Sequence, residues 1–303
     1  MSRLNKSRPQ RLHGIGEWYG KLFVHLTEEE RTSFARLQKV SRKGRTPQPC
    51  PFQSTAEQTA VCTKEGGVCS LRLYERTSDG KVHAAGSLCT TCPNRFEEDR
   101  TIFRWIAQTI LDYGGDPLVL GQVGFLERQE PGTSSDVGRI DNVLVVPDSR
   151  PLAWCAVETQ AVYFQGASMK KDFEEILGLT GSEEYFPVAR RQPDYRSSGP
   201  KRLMPQLQIK VPTLRRWGKK MAVVVDRGFF DAMGEMDTVR HVSNCDIAWF
   251  VVRYDEKGAV AELTPDEVYF TTLERSVEGL TAGLPVDLQT FEQRILARIP
   301  SFG

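Results

Sequence analysis

Two groups of side chains have the types and spacing that metal chemistry requires. Five of the seven cysteines fall between Cys50 and Cys92, and clustered thiolates bind zinc or iron. Further along the chain, Asp141 is followed by Glu158 and Gln160. Two carboxylates can hold a divalent ion that polarises a phosphoryl oxygen and activates water. The sequence therefore predicts a metal-bound cysteine module followed by a metal-dependent hydrolytic centre for nucleic acid.

The cysteines offer five candidates for the four places of a tetrahedral site, so one thiol is spare. Spacing alone favours Cys89 and Cys92 as a C-x-x-C pair. A set of buried free thiols is the alternative, since free cysteine is usually buried, but five cysteines in so short a segment argue against it. Cys155 and Cys245 lie in apolar segments and are predicted to be core residues.

The carboxylates fall on predicted strands. Side chains alternate along a strand, so Glu158 and Gln160 point to the same face, and Asp141 on the preceding strand lies within reach across a hairpin. The usual motif for this chemistry is an acid followed by Asp/Glu-x-Lys, and here Gln160 stands at the lysine position. Two acids on the exposed edge of a sheet are the alternative, which so short a motif does not exclude.

Strands and helices alternate in the pattern of hydrophobic residues, which predicts a mixed α/β sheet covered on both faces. Strands are expected at 118–126, 137–146, 154–163, 221–225 and 247–254. Helices are expected at 27–40, from Pro93 to the Gly114-Gly115 pair, and at 168–179, 229–233 and 291–299. Residues 1–16 are expected to be irregular, short ribbons are expected over 50–92, and a loop is expected over 187–202.

Charge is distributed unevenly in this chain of 303 residues and net charge +1. Residues 1–48 hold eleven Lys and Arg against four Glu, and residues 190–220 hold ten against one acid. Phosphate-binding surfaces around a carboxylate centre give such a pattern, and two solvated basic faces are the alternative. No apolar run approaches the ~18 residues of a membrane span. The N-terminus lacks the apolar part of a secretory signal, so a cytoplasmic protein with no membrane association is expected.

The cysteines sit in a specific set of short motifs. These are Cys50-Pro51-Phe52, Cys62-Thr63-Lys64, Gly67-Val68-Cys69 and Cys92-Pro93-Asn94-Arg95. The set resembles the NotI type of restriction endonuclease, which includes EagI-like enzymes. The resemblance implies that a structural metal is bound by Cys50, Cys62, Cys69 and Cys92. In that family the metal is iron, whereas the residues alone do not distinguish iron from zinc. It makes Cys89 the spare thiol, against the spacing argument.

The nuclease motif resembles the same family and, through it, the PD-(D/E)xK nuclease superfamily. Asp141, Glu158 and Gln160 match, and Gly166 and Lys170 follow in the next turn and helix. The glutamine is then a family trait. The resemblance implies that Asp141 and Glu158 bind Mg²⁺ and that Gln160 positions water. Glu127 matches a further catalytic glutamate of the family, and Lys170 could supply positive charge.

The expected organisation is a restriction-endonuclease-like α/β/α core with a mixed sheet plus an N-terminal four-cysteine metal-bound extension. Residues 1–95 form the basic, DNA-contacting module and residues 96–303 the nuclease core. The resemblance implies a type II restriction endonuclease: a Mg²⁺-dependent homodimer that cuts double-stranded DNA at a G·C palindrome containing GGCC. Residues 41–46 and 190–220 are expected to contact DNA. Two alternatives are a repair-type iron–sulfur nuclease and a catalytically inactive, metal-stabilised DNA-binding regulator.

Overall fold

The structure, a computed structural model, describes residues 9–40, 44, 46–130, 133–179, 183–283 and 286–299. Within these ranges the chain forms twelve β-strands and eight α-helices. The strands are β1 (Gln10–Trp18), β2 (Lys21–Leu22), β3 (Val68–Arg76), β4 (Val82–Thr90), β5 (Leu118–Glu130), β6 (Thr133–Val145), β7 (Trp154–Thr159), β8 (Phe164–Gly166), β9 (Arg191–Pro193), β10 (Met221–Asp226), β11 (Ile247–Lys257) and β12 (Val260–Thr271). The helices are α1 (Glu28–Lys39), α2 (Thr101–Leu111), α3 (Lys170–Gly178), α4 (Tyr195–Ser198), α5 (Met204–Arg216), α6 (Arg227–Asp231), α7 (Leu273–Thr281) and α8 (Leu288–Leu296).

The larger sheet has six strands in the order β12-β11-β10-β7-β6-β5. Strand β10 runs parallel to both β7 and β11, whereas β5, β6 and β7 pair antiparallel, as do β11 and β12. All six residues of β10 are buried, as expected for a central strand with both faces covered. The prediction of a mixed sheet is confirmed.

Helices cover both faces of this sheet. On one face Val223 packs in a cluster with Leu207 of α5. On the other face Val224 packs with Phe103 of α2. Successive residues of a strand point to opposite faces, so the apolar run of β10 supplies both layers of the core. The resulting α/β/α arrangement is the one that the alternation of strands and helices predicts.

A second, four-stranded sheet in the order β2-β1-β3-β4 occupies the N-terminal part. The expectation that residues 1–16 are irregular is wrong from Gln10 onward, where β1 begins. Gly14 and Gly16 lower the strand signal of this segment, yet both are closely packed. A Cβ at Gly14 would lie 2.5 Å from a side-chain carbon of Pro187, and one at Gly16 would lie 2.8 Å from Leu88.

Aromatic packing joins the smaller sheet to α3 and to the segment that follows it. Trp18 of β1 stacks on Phe173 of α3, with ring centroids 5.2 Å apart, and Phe23 lies 4.7 Å from Tyr185. These rings belong to one buried cluster, which contains residues from both of the predicted domains, 1–95 and 96–303. Packing therefore crosses the predicted boundary between residues 95 and 96, which itself falls inside a 3-10 segment, Pro93–Arg100.

The observed ends of the helices agree with the predicted ends where a capping residue marks them in the local sequence. Thr27 caps α1 through the predicted capping box with Glu30. The helix predicted to reach Gly114 ends earlier, at Leu111, because Asp112 takes a left-handed conformation (φ 50°). The loop predicted over 187–202 holds β9, α4 and most of a π-helical segment, Gly199–Leu203, which leads into α5. Helix α5 was not predicted because it contains Pro205 and Pro212, and proline disfavours a helix interior.

Among the described helices, none combines the length and the apolar character needed to cross a membrane.

Candidate active site

Asp141 and Glu158 stand opposite each other at the centre of the larger sheet. The antiparallel register of β6 and β7 pairs Asn142 with Val157, so the next step pairs Asp141 with Glu158. Directly opposed side chains on antiparallel strands have Cβ atoms roughly 5 Å apart. The structure thus brings together the two carboxylates that the sequence predicts to share a metal ion.

The Glu158 carboxyl group is buried, which disfavours its charged form. Glu158 as a residue is 1% exposed, whereas Asp141 is half-buried. Burial raises the pKa of Glu158 to about 7; the neighbouring charge of Asp141 raises it and the Lys210 ammonium lowers it. Two close carboxylates in a partly dry site favour a cation between them, because the ion offsets both burial and mutual repulsion.

Gln160 lies just past the end of β7, on the same side as Glu158. Its side chain is 7% exposed, and its amide nitrogen donates a hydrogen bond to the backbone oxygen of Ala161 at 2.5 Å. Its backbone N–H donates to the oxygen of Val224 at 2.9 Å. The amide is therefore fixed in direction, and as a neutral group it offers hydrogen bonds without positive charge.

A cleft of about 1210 Å³ opens above these residues. Asp141, Glu158 and Gln160 line one side, and the cysteine motifs contribute Lys64 and Asn94 to its lining. The cysteine segment therefore belongs to the same cavity as the carboxylate pair.

Basic side chains at the cleft suit a polyanionic ligand. Lys170 lines it and is largely exposed, with its ammonium 3.8 Å from the Glu174 carboxylate. Arg202 also lines it and lies over the Tyr163 ring, 3.5 Å from its centroid. Of the basic loop predicted to contact DNA, residues 41–43 and 45 lie outside the described residues.

Lys210 contacts the candidate site in a way that the sequence analysis missed, since it had placed this lysine only in the stretch 190–220 expected to contact DNA. Its side chain is buried, and its Nζ donates to Glu158 Oε2 at 2.6 Å and to Gln206 Oε1 at 2.8 Å. It points inward from α5 with Leu207 and Leu214, which lie three and four residues away. A lysine on the apolar face of a helix was the available signal, but the two prolines concealed the helix.

Glu127 is not brought to the cleft. On β5 it is exposed, and its register partner is Asp136. Asp136 precedes Asp141 by five residues on β6, which at the rise of a strand corresponds to ~17 Å. The described lining of the cleft does not include Glu127.

The four thiols implied as metal ligands lie in one neighbourhood. Backbone hydrogen bonds of Cys50 to Ala60 and of Cys62 to Gln48, both 2.7 Å, set the first two side by side, and the N–H of Cys92 donates to the oxygen of Cys69 at 3.2 Å. Burial raises the pKa of Cys92, and the nearby thiols of Cys62 and Cys50 raise it further. Burial likewise raises the pKa of Cys69, with contributions from Cys92 and Cys62.

Cys89 lies apart from these four. It belongs to the core beneath the larger sheet, where burial raises the pKa of its thiol and the charge of Asp226 adds to the shift. Cys155 and Cys245 are buried, which confirms their prediction as core residues. Within the described ranges, no group of three or more His, Cys, Asp or Glu side chains is arranged to hold a metal ion.

Comparison with known proteins places this architecture in a family. A family model described as restriction endonuclease NotI matches residues 35–264, which is more than half of the chain and includes the cysteine motifs, the carboxylate pair and α5. A search of curated proteins finds no match. The chain belongs to the NotI family of restriction endonucleases, enzymes that cut DNA.

Proposed function

We propose that the protein is a type II restriction endonuclease that hydrolyses DNA phosphodiester bonds with Mg²⁺ at Asp141 and Glu158. The observation that carries the proposal is the opposed carboxylate pair lining a cleft with basic side chains around it. Family membership supports DNA hydrolysis in general. The metal, the roles of single residues and the target sequence are the finer parts of the proposal.

The donor set fits Mg²⁺. This ion takes oxygen ligands and is held by one or two carboxylates together with water and substrate phosphate, rather than by a full cage of side chains. A pair without a third carboxylate therefore suits it better than it suits zinc. When bound, Mg²⁺ polarises a phosphoryl oxygen and makes water a stronger nucleophile at neutral pH.

The protein's own groups have separate tasks in this scheme. Asp141 and Glu158 bind the ion, and Gln160 orients the attacking water through its fixed amide. Lys170 and Arg202 attract and hold the DNA backbone, because phosphate contacts by basic side chains set the register of a protein on DNA. Hydrolysis leaves a 5′-phosphate and a 3′-hydroxyl.

The four-cysteine metal is part of the same proposal. Cys50, Cys62, Cys69 and Cys92 would hold one iron or zinc ion, whose role is to fix the fold of the segment around them. Support comes from the shared neighbourhood of the four thiols and from the separation of Cys89. Four thiols suit either metal. Because this segment also lines the cleft, a loss of the metal would change the DNA-binding surface.

The proposed target is a G·C palindrome containing GGCC, and the proposed active form is a homodimer. Arginine pairs with guanine O6 and N7 in the major groove, and residues 190–220 are rich in basic side chains. One carboxylate centre cuts one strand, so cutting both strands of a palindrome needs two centres related by a two-fold axis. No observation favours a repair-type nuclease or an inactive regulator.

Incubation of plasmid DNA with the protein and Mg²⁺ tests this function, with fragment ends mapped by sequencing. The proposal predicts discrete fragments whose ends share one palindrome with GGCC at its centre. Cuts at sites with A·T pairs would overturn the proposed target alone. DNA that stays intact under all tested divalent ions would overturn the nuclease proposal.

A further inference from the structure

We propose that Lys210 is a positioning residue for catalysis: from α5 it supplies the positive charge that Gln160 cannot, and it fixes the Glu158 carboxylate. This inference rests on the proposed function and adds a residue from outside the motif. The motif of this chemistry normally ends in lysine, whereas this chain has a neutral amide there. The structure brings a lysine to the same carboxylate by another path.

The geometry of the contact is direct. Nζ of Lys210 donates to Oε2 of Glu158 at 2.6 Å. Strand alternation turns Glu158 to the same face of the sheet as Ala156, which packs in the cluster that contains Leu207 and Val211 of α5. The lysine therefore approaches from the helix layer and meets the carboxylate from behind, relative to the open cleft.

A second contact ties Lys210 to the cleft itself. Its ammonium also donates to Oε1 of Gln206 at 2.8 Å, and both Gln206 and Glu158 line the cleft. One charged group thus holds two lining side chains in fixed directions. Charge-assisted hydrogen bonds are shorter and stronger than neutral ones, so the pair is well suited to limit the motion of Glu158.

Packing alone does not call for lysine at this position. Its neighbours on the inward face of α5 are Leu207, Val211 and Leu214, all buried. Replacing a buried ion pair by apolar side chains of similar volume is often neutral or stabilising. A buried lysine beside a carboxylate of the candidate centre is better explained by an electrostatic task at that centre, where fixed charge acts strongly because water is excluded.

The test compares Lys210→Met, which removes the charge and keeps the length, with Lys210→Arg, which keeps the charge. Lys257→Met is the matched control, because Lys257 also pairs with a glutamate, Glu262, but does so on the exposed surface and outside both the cleft lining and the ranges expected to contact DNA. Three quantities are measured on the full chain: the melting temperature, the dissociation constant for DNA without divalent ions, and the single-turnover cleavage rate with Mg²⁺ and saturating DNA.

Lys210→Met should lower the single-turnover rate by about 100-fold or more, the usual effect of removing one fixed electrostatic group. Its DNA dissociation constant should stay within threefold, roughly 0.6 kcal/mol, and Lys210→Arg should recover at least a tenth of the wild-type rate. Lys257→Met should match wild type in all three quantities, because an exposed ion pair contributes little to stability. Loss of the buried pair lowers the melting temperature in either case. A purely structural lysine would also weaken DNA binding along with the rate, and arginine would not restore the rate selectively.

A readout without catalysis checks the pair itself. Glu158→Gln leaves Lys210 buried without a carboxylate, so it should lower the melting temperature, and adding Lys210→Met should recover part of that loss. Cleavage at near wild-type rate by Lys210→Met, or no recovery in the double variant, would overturn the inference while the nuclease proposal stands. Failure of the wild-type protein to cut DNA would overturn both.

Discussion

Arg95, the last residue of the motif Cys92-Pro-Asn-Arg95, joins three parts of the chain through a fully buried guanidinium. Its Nε donates to Glu17 of β1 at 3.0 Å, and its Nη2 donates to the oxygen of Ala261 in β12 at 2.6 Å. The rings of Phe52 and Tyr254 each lie 4.4 Å from the guanidinium carbon. This motif therefore links the cysteine segment, the smaller sheet and the larger sheet.

Replacing Arg95 by Met should destabilise the protein strongly. Burial raises the pKa of Glu17, and the charge of Arg95 opposes that shift, so the substitution leaves a buried carboxyl group without its partner. Such losses cost about 3–5 kcal/mol. Urea unfolding measures the effect, and Arg100→Met is the control, since its exposed pair with Asp116 contributes less than about 1 kcal/mol. Equal losses in the two variants would contradict the account of Arg95.

At the level of single residues, the short motif and the alternation of side chains along a strand predicted that Asp141, Glu158 and Gln160 are neighbours. The apolar runs in this part of the sequence marked the two strands that pair. The same argument did not predict that Lys210 contacts Glu158. Its contact with Glu158 spans 52 positions in sequence and depends on where α5 packs. Local patterns define strands well, but they do not say which helix will cover which carboxylate.

Among the elements, the cysteine segment shows that the thiols paired by sequence spacing differ from the thiols that the fold brings close together. Spacing favours Cys89 with Cys92, yet Cys89 lies on β4, with its side chain turned into the core beneath the larger sheet. Cys50 and Cys62 instead approach through a short antiparallel contact at Pro49 and Val61. Pairing between distant cysteines depends on these backbone contacts, which the count of intervening residues does not reveal.

The two candidate ligand sets predict different outcomes for single replacements. Cys62→Ser should lose the bound metal and lower the melting temperature, because the local cluster around Cys50 and Phe52 is small and metal binding contributes to folding in such segments. Cys89→Ser should keep the metal. Elemental analysis of the purified proteins, with one iron or zinc per wild-type chain, measures both. Metal retained in Cys62→Ser but lost in Cys89→Ser would instead support the C-x-x-C pair.

Element prediction from sequence was accurate where apolar runs are continuous and weak where packing is dense. Strands β10 and β11 were predicted to within a few residues, since both are apolar and buried. Strand β1 was missed because glycines at its tight contacts resemble a loop. The strands of the smaller sheet are paired over long stretches and contact a cluster of aromatic rings, and neither kind of contact leaves a local signal in the sequence.

At the scale of the whole molecule, cleavage of both strands is proposed to need two copies of the chain. One carboxylate pair serves one scissile phosphate, and a palindrome offers two related by a two-fold axis. Light scattering at concentrations used for cleavage should give a dimer of the 34.2 kDa chain, with or without DNA. A monomer both free and on its target, together with cutting of both strands, would refute the symmetric arrangement.

Asp141 and Glu158 are proposed to form a metal-dependent catalytic pair, and plasmid cleavage by Asp141→Asn, compared with cleavage by Asp148→Asn, tests whether they do. The control makes the same change on the exposed turn after β6, where Asp148 has φ 56°, a conformation that asparagine tolerates. Asp141→Asn should cut more than about 100-fold more slowly while it binds DNA at least as tightly, since one repulsive charge is gone. Asp148→Asn should cut normally. Cleavage by Asp141→Asn at a rate near that of wild type would contradict the account.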